Sequence, residues 1–202
     1  MPEKIIIVGA FHEIVELCES SGYAIVGFFD QEKKNDTFMG YPILGDDGDA
    51  EKLFAKYGNI PVVISPDACS ARRRLYDHYS RCGYRFASLI SKDAKISPSA
   101  KIGCGSVIQS GAYVSSNARI GKFVKVNVNA TVMHDTIVGD FSTLAPCSVL
   151  LGAIQLGQDV YLGANATVLP RLKIHPNTVI GAGAVVTRDI LEQKIVKGIP
   201  AK

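Results

Sequence analysis

Residues 120–144 read IGKFVKVNVNATVMHDTIVGDFSTL. Every sixth residue of this stretch is aliphatic, namely Ile120, Val126, Val132, Val138 and Leu144. The same spacing runs without interruption from Ile90 to Val186, over seventeen consecutive positions. A six-residue period fits neither the α-helix nor the alternation of a single strand. It fits a coil of three short strands, about eighteen residues a turn, in which each strand points one aliphatic side chain inward. The stretch therefore predicts a parallel β-helix.

Two further repeats follow the same period. Small residues stand four places after most of the aliphatic residues, as at Ala94, Ala100, Ser106, Ala112, Ala118, Ala130, Thr136, Ser142, Ser148, Ala166, Thr178 and Ala184. Glycine directly follows an aliphatic residue at positions 103, 121, 139, 157, 163 and 181. We expect the small side chains to fit near the corners of the coil. We expect the glycines to allow turn conformations that a side chain would obstruct.

The composition excludes several classes of protein. The chain has 202 residues, 47% of them hydrophobic and 20% charged, which is typical of a folded globular protein. The net charge of +3, without a basic stripe interleaved with aromatic residues, argues against a nucleic-acid partner. No apolar run is long enough for a membrane span, and the first residues do not resemble a signal peptide, so we expect a cytoplasmic protein. Five cysteines without CxxC spacing indicate neither a disulfide framework nor a zinc site.

The chain begins with a βαβ pattern. A buried strand over residues 4–8 leads through Gly9 into a helix, and a second strand ends at Asp30. Such a unit has its ligand site at the carboxyl ends of the parallel strands. Only one glycine of the G-x-G-x-x-G fingerprint is present, which argues against a dinucleotide. We predict a small Rossmann-like α/β domain over residues 1–89, followed by the β-helix domain with a short tail over residues 90–202.

Further elements can be predicted around these two patterns. They are a polar loop at residues 31–40, a helix at 49–57, a strand at 60–64, a helix that stops at Gly83 and a short helix at 188–193. Asp67 is the expected cap of the helix before Gly83. The basic run at residues 72–74 in that helix forms either a solvated face or a contact to phosphate.

The segment Met133-His134-Asp135 departs from the needs of the coil. His134 occupies the third place of its hexad, counted from Val132, and should project outward. Imidazole titrates near neutral pH and can accept a proton from an attacking amine or hydroxyl, which makes His134 a candidate general base. The alternative is a surface histidine that is tolerated in a turn, and position alone does not separate the two.

Several segments together resemble the hexapeptide-repeat sugar acetyltransferases, the family of sialic acid O-acetyltransferases and of enzymes that acetylate UDP-4-amino-4,6-dideoxy sugars. They are GYPILG at residues 40–45, the uninterrupted hexads, VMHDTIVGDFS at 132–142 and KGIPAK at 197–202. The resemblance implies a left-handed β-helix, acetyl-CoA as the donor, and a homotrimer with acetyl-CoA in the groove between adjacent β-helices. It also implies that His134 is the base and that Asp135 is its acidic partner.

The resemblance extends to the residues that bind acetyl-CoA. It implies that the backbone N–H of Gly152 stabilises the thioester oxyanion. Gly163 with Ala164, and Gly181 with Ala182, are expected one and two coils further on, where pantetheine and adenine pass. The alternative for these glycines is turn geometry alone.

Three residues are candidates for binding the acceptor. Thr143 stands where the family often has a second histidine, and it can donate a hydrogen bond but cannot carry charge. His12 follows a first loop that is shorter than the family's G-A-x-G-H-G loop, and it either reaches the acceptor or lies in solvent. Asp30 either binds a uracil or ribose edge or serves as a turn residue. The short loop leaves open whether the acceptor carries a nucleotide.

The resemblance implies an acetyl-CoA-dependent N- or O-acetyltransferase whose acceptor is a nucleotide-linked sugar in surface-glycan biosynthesis. One alternative is an O-acetyltransferase with a free acceptor such as a sialic acid or an amino acid. An alternative of another class is a non-catalytic β-helix scaffold. A zinc-binding protein of that kind needs histidines that bridge neighbouring rods, and His134 has no suitable partner at the spacings seen, so no metal is predicted.

Overall fold

The chain forms two compact units, Met1–Leu89 and Ile90–Lys202. The structure is a computed structural model, and it describes residues 2–31 and 37–202. Of the polar loop predicted at residues 31–40, residues 32–36 lie outside the described part. Within that part, no helix is long and apolar enough to cross a membrane.

The described residues of the first unit form a five-stranded sheet with three α-helices. Its elements are β1 (Lys4–Val8), α1 (His12–Ser21), β2 (Ala24–Phe29), β3 (Thr37–Phe38), β4 (Tyr41–Gly45), a 3-10 turn (Asp47–Asp49), α2 (Ala50–Tyr57), β5 (Val62–Ile64) and α3 (Cys69–Arg81). The strand order is β3-β4-β2-β1-β5, and only the pair β3–β4 is antiparallel. The interior strand β1, between β2 and β5, is largely apolar because a strand inside a parallel sheet is covered on both faces. The predicted βαβ unit is confirmed.

The predicted cap of α3 is wrong. The N-cap residue is Ala68, without a side-chain cap, and Asp67 lies one residue earlier. The N-cap side chain therefore accepts none of the first N–H groups of α3, but the buried Nη1 of Arg72 donates to the carbonyls that precede the helix, those of Pro66 at 3.0 Å and Asp67 at 2.7 Å. Arg72 therefore holds the chain that enters the helix, and its guanidinium is neither solvated nor open to a phosphate.

The second unit is a parallel β-helix of two-residue strands on three faces. The first face consists of β6 (Leu89–Ile90), β9 (Val107–Ile108), β12 (Lys125–Val126), β15 (Thr143–Leu144), β18 (Tyr161–Leu162), β21 (Val179–Ile180) and β23 (Ile195–Val196). The second face consists of β7 (Lys95–Ile96), β10 (Tyr113–Val114), β13 (Thr131–Val132), β16 (Val149–Leu150), β19 (Thr167–Val168) and β22 (Val185–Val186). The third face consists of β8 (Lys101–Ile102), β11 (Arg119–Ile120), β14 (Ile137–Val138), β17 (Gln155–Leu156) and β20 (Lys173–Ile174).

The core of the β-helix is the predicted column of aliphatic residues. Val132, Leu144, Leu150 and Leu162 are completely buried, and they belong to one continuous apolar cluster. Burying such a side chain contributes about 1.5–3 kcal/mol, so the repeat stabilises every coil in turn. Ten of the twelve small residues four places after the aliphatic residues are buried as well, and Ala94 and Ala100 are half-buried.

The glycines that directly follow the aliphatic residues stand where a side chain would be obstructed, as predicted, but not because of a left-handed backbone. None of the six has a positive φ angle. Five of the six have no space for a side chain: a Cβ atom on Gly163, for example, would lie 2.5 Å from the backbone N of Ala182 in the next coil, whereas at Gly181 the nearest atom would be 3.1 Å away. The left-handed backbone falls two residues later, where it recurs in every hexad from Gly105 to Gly183 and includes Asp135 at φ +60°.

The predicted helix at residues 188–193 is absent. The chain instead continues to add to the coil after the hexads end. Ile190 forms a bridge with Ile174, and β23 pairs in parallel with β21. A further strand satisfies the exposed backbone groups of the last coil, which a helix at this place would leave unpaired.

Candidate active site

The candidate catalytic residues stack at one edge of the β-helix. We name "second corner" the residues that lie two and three places after the inward aliphatic residue of the second face: 116–117, 134–135, 152–153 and 170–171. Successive pairs follow β10, β13, β16 and β19, which are neighbours in one sheet. Residues eighteen apart along the chain therefore lie one above the other, with adjacent strands about 4.8 Å apart.

His134 and Asp135 form a hydrogen-bonded pair at this corner. The Nδ1 atom of His134 lies 2.8 Å from Oδ2 of Asp135. A carboxylate only accepts hydrogen bonds, so Nδ1 carries the proton in the neutral ring and Nε2 is left with its lone pair. The side chains are 58% and 54% exposed, so His134 projects outward as predicted and can meet a substrate.

The Asp135 carboxylate has a second donor on the coil below. Nδ2 of Asn117 donates to Oδ1 of Asp135 at 3.3 Å. Hydrogen bonds from His134 first, and from Asn117 second, lower the pKa of the Asp135 carboxyl below its usual value. The carboxylate therefore stays ionised throughout the pH range in which a histidine base works.

Gly152 lies on the other side of the imidazole. A Cβ atom at Gly152 would lie 2.7 Å from both Cε1 and Nε2 of His134. The ring therefore packs directly against the backbone of the next coil, and any side chain at this position would displace it. The coil that contains Gly152 is also hydrogen-bonded to the coil that contains His134, because the N–H of Ala153 donates to the His134 carbonyl at 2.9 Å.

The backbone N–H of Gly152 is available to a ligand. Within the described chain it has no hydrogen-bond partner, whereas the N–H groups of Leu151 and Ala153 bond to neighbouring coils. The coil does not need an N–H at this place of the hexad, since Pro98, Pro146, Pro170 and Pro176 occupy it elsewhere. An unpaired N–H next to the candidate base can stabilise a developing oxyanion.

The other candidate acetyl-CoA residues lie at a different edge, which corrects their predicted placement. Gly163, Ala164, Gly181 and Ala182 follow β18 and β21 of the first face, and we name this edge the "first corner". They stack on each other one coil apart. One coil beyond Gly152 the chain instead has Pro170, because eighteen residues separate stacked positions. Within one chain, therefore, Gly163 and Gly181 do not stack on His134 and Gly152.

The first corner also contains a polar residue that sequence analysis missed. Asn127 lies on the same stack two coils before Gly163, and its side chain is buried. Its Oδ1 accepts from Nε2 of Gln109 at 3.2 Å, but its Nδ2 has no partner among the described residues. The one sequence signal is a polar residue directly after an inward aliphatic residue.

Thr143 does not stand at either corner. It lies within β15 on the first face, one residue before inward-pointing Leu144, and it is completely buried. A buried hydroxyl has no surface to offer an acceptor. The substrate contact expected of Thr143 by analogy with a second histidine is therefore not supported by its position.

In the first unit, the predicted acceptor residues lie at the carboxyl edge of the parallel strands. Asp30 directly follows β2, and its Oδ2 accepts the backbone N–H of Ala10 at 2.5 Å. Its carboxylate thus closes the turn after β1. His12 is the first residue of α1, and its exposed ring packs edge-on against Phe38 with centroids 4.6 Å apart. Of the two side chains, that of His12 is the more accessible to a ligand, because it is exposed and the Asp30 carboxylate already accepts a backbone hydrogen bond.

Metal-binding residues do not cluster in the described chain. Residues 2–31 and 37–202 contain no group of three or more histidine, cysteine, aspartate or glutamate side chains that could hold a metal ion.

Family models match both units. Residues 4–79 match the PglD N-terminal domain, and residues 153–188 match the bacterial transferase hexapeptide (six repeats). Among curated proteins, the galactoside O-acetyltransferase of Escherichia coli is 29% identical over an alignment 103 residues long, which covers 41% of this chain and 50% of the relative. The chloramphenicol acetyltransferase of Morganella morganii is 36% identical over 62 residues, 31% of this chain and 30% of the relative. The chain thus spans at most half the length of these two relatives.

Solved structures match over the full length. The perosamine N-acetyltransferase PerB of Caulobacter crescentus, in complex with CoA and GDP-perosamine, is 27% identical with a TM-score of 0.91, over 100% of this chain and 97% of that one. The acetyltransferase domain of PglB from Neisseria gonorrhoeae, in complex with acetyl coenzyme A, is 28% identical with a TM-score of 0.91, over 100% and 99%. The predicted fold class, a small α/β domain followed by a left-handed β-helix, is thereby confirmed. The chain thus combines a match to the PglD N-terminal domain with hexapeptide repeats, and over its full length it is similar to sugar acetyltransferases of the hexapeptide-repeat type, which confirms the predicted resemblance.

Proposed function

We propose that the protein transfers the acetyl group of acetyl-CoA to an amino group of a nucleotide-linked sugar, with His134 as the general base. The observation that carries this proposal is the geometry of the second corner. A histidine with a fixed Nδ1–H lies between a carboxylate and the unpaired N–H of Gly152. A non-catalytic scaffold has no need for these three groups at one place.

The arrangement suits attack on a thioester. The acceptor amine attacks the acetyl carbonyl carbon, and Nε2 of His134 takes the proton that the nitrogen loses. The carbonyl oxygen becomes an oxyanion, to which the N–H of Gly152 donates. When the intermediate collapses, the carbon–sulfur bond breaks, and the imidazolium returns the proton to the CoA thiolate. Asp135 keeps the ring oriented and stabilises its positive charge throughout.

The solved structures support a nucleotide-linked amino sugar as the acceptor. PerB is similar to this chain over its whole length and was solved with CoA and GDP-perosamine. The galactoside O-acetyltransferase, which matches only in part, supports a second candidate function, the acetylation of a sugar hydroxyl. We place the enzyme in the cytoplasm, where acetyl-CoA is available, and in surface-glycan biosynthesis.

The first unit is the proposed acceptor domain. His12 and Asp30 lie at the carboxyl edge of its parallel strands, where α/β sheets bind ligands. Because the Asp30 carboxylate already accepts the N–H of Ala10, we assign it the support of this loop. We assign His12, which is exposed at the start of α1, the direct contact with the acceptor.

A homotrimer would complete the site. The His134 and Asp135 side chains are more than half exposed in the single chain, and a charge-stabilising site works best when water is excluded. The candidate acetyl-CoA residues Gly163 and Gly181 lie at the first corner, away from Gly152. Both sets can meet one acetyl-CoA if the first corner of one subunit faces the second corner of its neighbour.

CoA release from acetyl-CoA in the presence of a panel of acceptors tests the proposed function. The panel contains GDP-perosamine, a UDP-4-amino-4,6-dideoxy sugar, a galactoside and free sialic acid. We expect turnover with at least one nucleotide-linked amino sugar and none without acceptor. Turnover with the galactoside or sialic acid alone would select the O-acetyltransferase function. Binding of acetyl-CoA without turnover of any sugar would contradict both.

A further inference from the structure

A ladder of hydrogen bonds below His134 links three successive coils at the second corner. The backbone N–H of Asn117 donates to Oγ of Ser99 at 3.0 Å. The side chain of Asn117 then donates from Nδ2 to Oδ1 of Asp135 at 3.3 Å. Asp135 in turn holds Nδ1 of His134 through its other oxygen at 2.8 Å. The base is therefore connected to the coil below through one amide.

The ladder uses both oxygens of the Asp135 carboxylate. Asp135 is exposed, so its carboxylate would otherwise rotate freely and exchange its hydrogen bonds with water. With Oδ1 held by Asn117, Oδ2 stays directed at the imidazole. A ring held by this contact keeps its proton on Nδ1, because the carboxylate can only accept.

We propose that Asn117 is a positioning residue for catalysis: its side-chain amide holds the Asp135 carboxylate against Nδ1 of His134, so that Nε2 faces the substrate as the base. This assignment rests on the proposed function of His134. Asn117 does not touch the substrate, and it acts only through Asp135.

The coil geometry gives a simpler reason for an asparagine at this place, and a matched control separates the two. Asn117 has φ +57°, a left-handed conformation that asparagine tolerates well. Asn177 occupies the same place of its hexad with φ +58°, and its side chain has no hydrogen-bond partner in the described chain. Glycine adopts this conformation without strain, so Asn→Gly at either position removes the amide and preserves the turn.

The test compares full-length wild-type protein with Asn117→Gly and Asn177→Gly. Nitrogen-15 NMR of the imidazole, assigned with His134→Ala, reports which ring nitrogen of His134 carries the proton. We expect the Nδ1–H form in the wild type and in Asn177→Gly, and a mixture of both forms in Asn117→Gly. With GDP-perosamine, or the acceptor that the panel selects, Asn117→Gly should lower kcat about threefold to tenfold and leave the KM for acetyl-CoA unchanged.

Coupling to Asp135 supplies the decisive readout. Because Asn117 acts through the carboxylate, Asn117→Gly should cost less than about twofold in kcat when Asp135 is already asparagine. An equal loss in both backgrounds, or an unchanged tautomer in Asn117→Gly, would overturn the assignment while leaving His134 as the base. A wild-type protein that acetylates no acceptor would instead refute the proposed function, and the NMR comparison would still report whether Asn117 holds Asp135.

Discussion

The second and first corners of the β-helix have the same backbone and different side chains. At the second corner Asp135 has φ +60°, and at the first corner Asn165 has φ +57° at the equivalent place. The second corner nevertheless contains the pair His134-Asp135, whereas the same two places of the first corner contain Ala164-Asn165 and Ala182-Gly183. The coil thus fixes the path of the chain through its inward residues. The outward places are therefore free to differ, and in the proposed function the second corner does the chemistry while the first contacts acetyl-CoA.

This comparison predicts that changes at the second corner lower turnover and that changes at the first corner weaken acetyl-CoA binding. The largest effect is expected for His134→Ala. Loss of a general base should lower kcat about 10²- to 10⁴-fold while the affinity for acetyl-CoA stays nearly the same. The control is His175→Ala, an exposed histidine at a different corner. If the acceptor is an amine, the deficit of His134→Ala should shrink as the pH rises, because the amine then loses its proton without help.

A side chain at Gly152 should have the next largest effect. Gly152→Val places atoms where the His134 ring now lies, 2.7 Å from Cε1 and Nε2, and it moves the proposed oxyanion donor. We expect kcat to fall about 10²- to 10³-fold, as for the loss of an oxyanion donor elsewhere. Gln158→Val tests the same place of the hexad at another corner and should leave kcat unchanged. Wild-type turnover by Gly152→Val would remove Gly152 from the site.

Asp135→Asn should have a smaller effect that depends on pH. Hydrogen bonds from His134 and Asn117 lower the carboxyl pKa of Asp135, so the side chain is negatively charged at neutral pH. Removing a negative charge next to an imidazolium favours the neutral ring, and the acidic limb of the kcat profile should therefore move to lower pH. At neutral pH we expect about a tenfold loss in kcat, less than for His134→Ala. An acidic limb at the same pH in Asp135→Asn and in the wild type would contradict electrostatic coupling between His134 and Asp135.

The smallest effect is expected at the first corner. Lys197 lies next to this corner, because a Cβ atom on Gly181 would be 3.1 Å from Cβ of Lys197. Lys202 lies beside Lys197, since the two residues exchange backbone hydrogen bonds. Replacing both lysines with glutamine should weaken acetyl-CoA binding about twofold to fivefold at low salt and make it less sensitive to salt. Lys101→Gln, on the third face, is the control. Calorimetry that showed equal affinity for all three proteins would place the CoA phosphates elsewhere.

The sequence was sufficient for the β-helix because its period is long, regular and different from those of helices and sheets. The sequence did not reveal why glycine follows some of the aliphatic residues, because the close contact with the next coil is seen only in the stacked coils. The prediction of a short helix at residues 188–193 was wrong for a similar reason. Local pattern favoured a helix, and the unpaired edge of the last coil required a strand.

The candidate site was predictable to the extent that its residues are neighbours in sequence. His134 and Asp135 are adjacent, so their pairing needed only the outward direction of the turn. Asn117 contacts the same pair from one coil below, and it was missed because asparagine is common at left-handed positions. The burial of Thr143 could not be predicted either. In a two-residue strand next to inward-pointing Leu144, the alternation of side chains predicts that Thr143 points outward and is exposed, whereas the structure buries it completely.

A crystal structure with acetyl-CoA, or with CoA and GDP-perosamine, tests the central claim most directly. We expect the thioester or sulfur at the second corner, with the acetyl carbonyl oxygen about 2.7–3.1 Å from the backbone N of Gly152. The acceptor nitrogen should lie within hydrogen-bond reach of Nε2 of His134, and the pantetheine should pass Gly163 and Gly181 of an adjacent subunit. A thioester bound away from His134 and Gly152, with no second subunit in contact, would contradict the account.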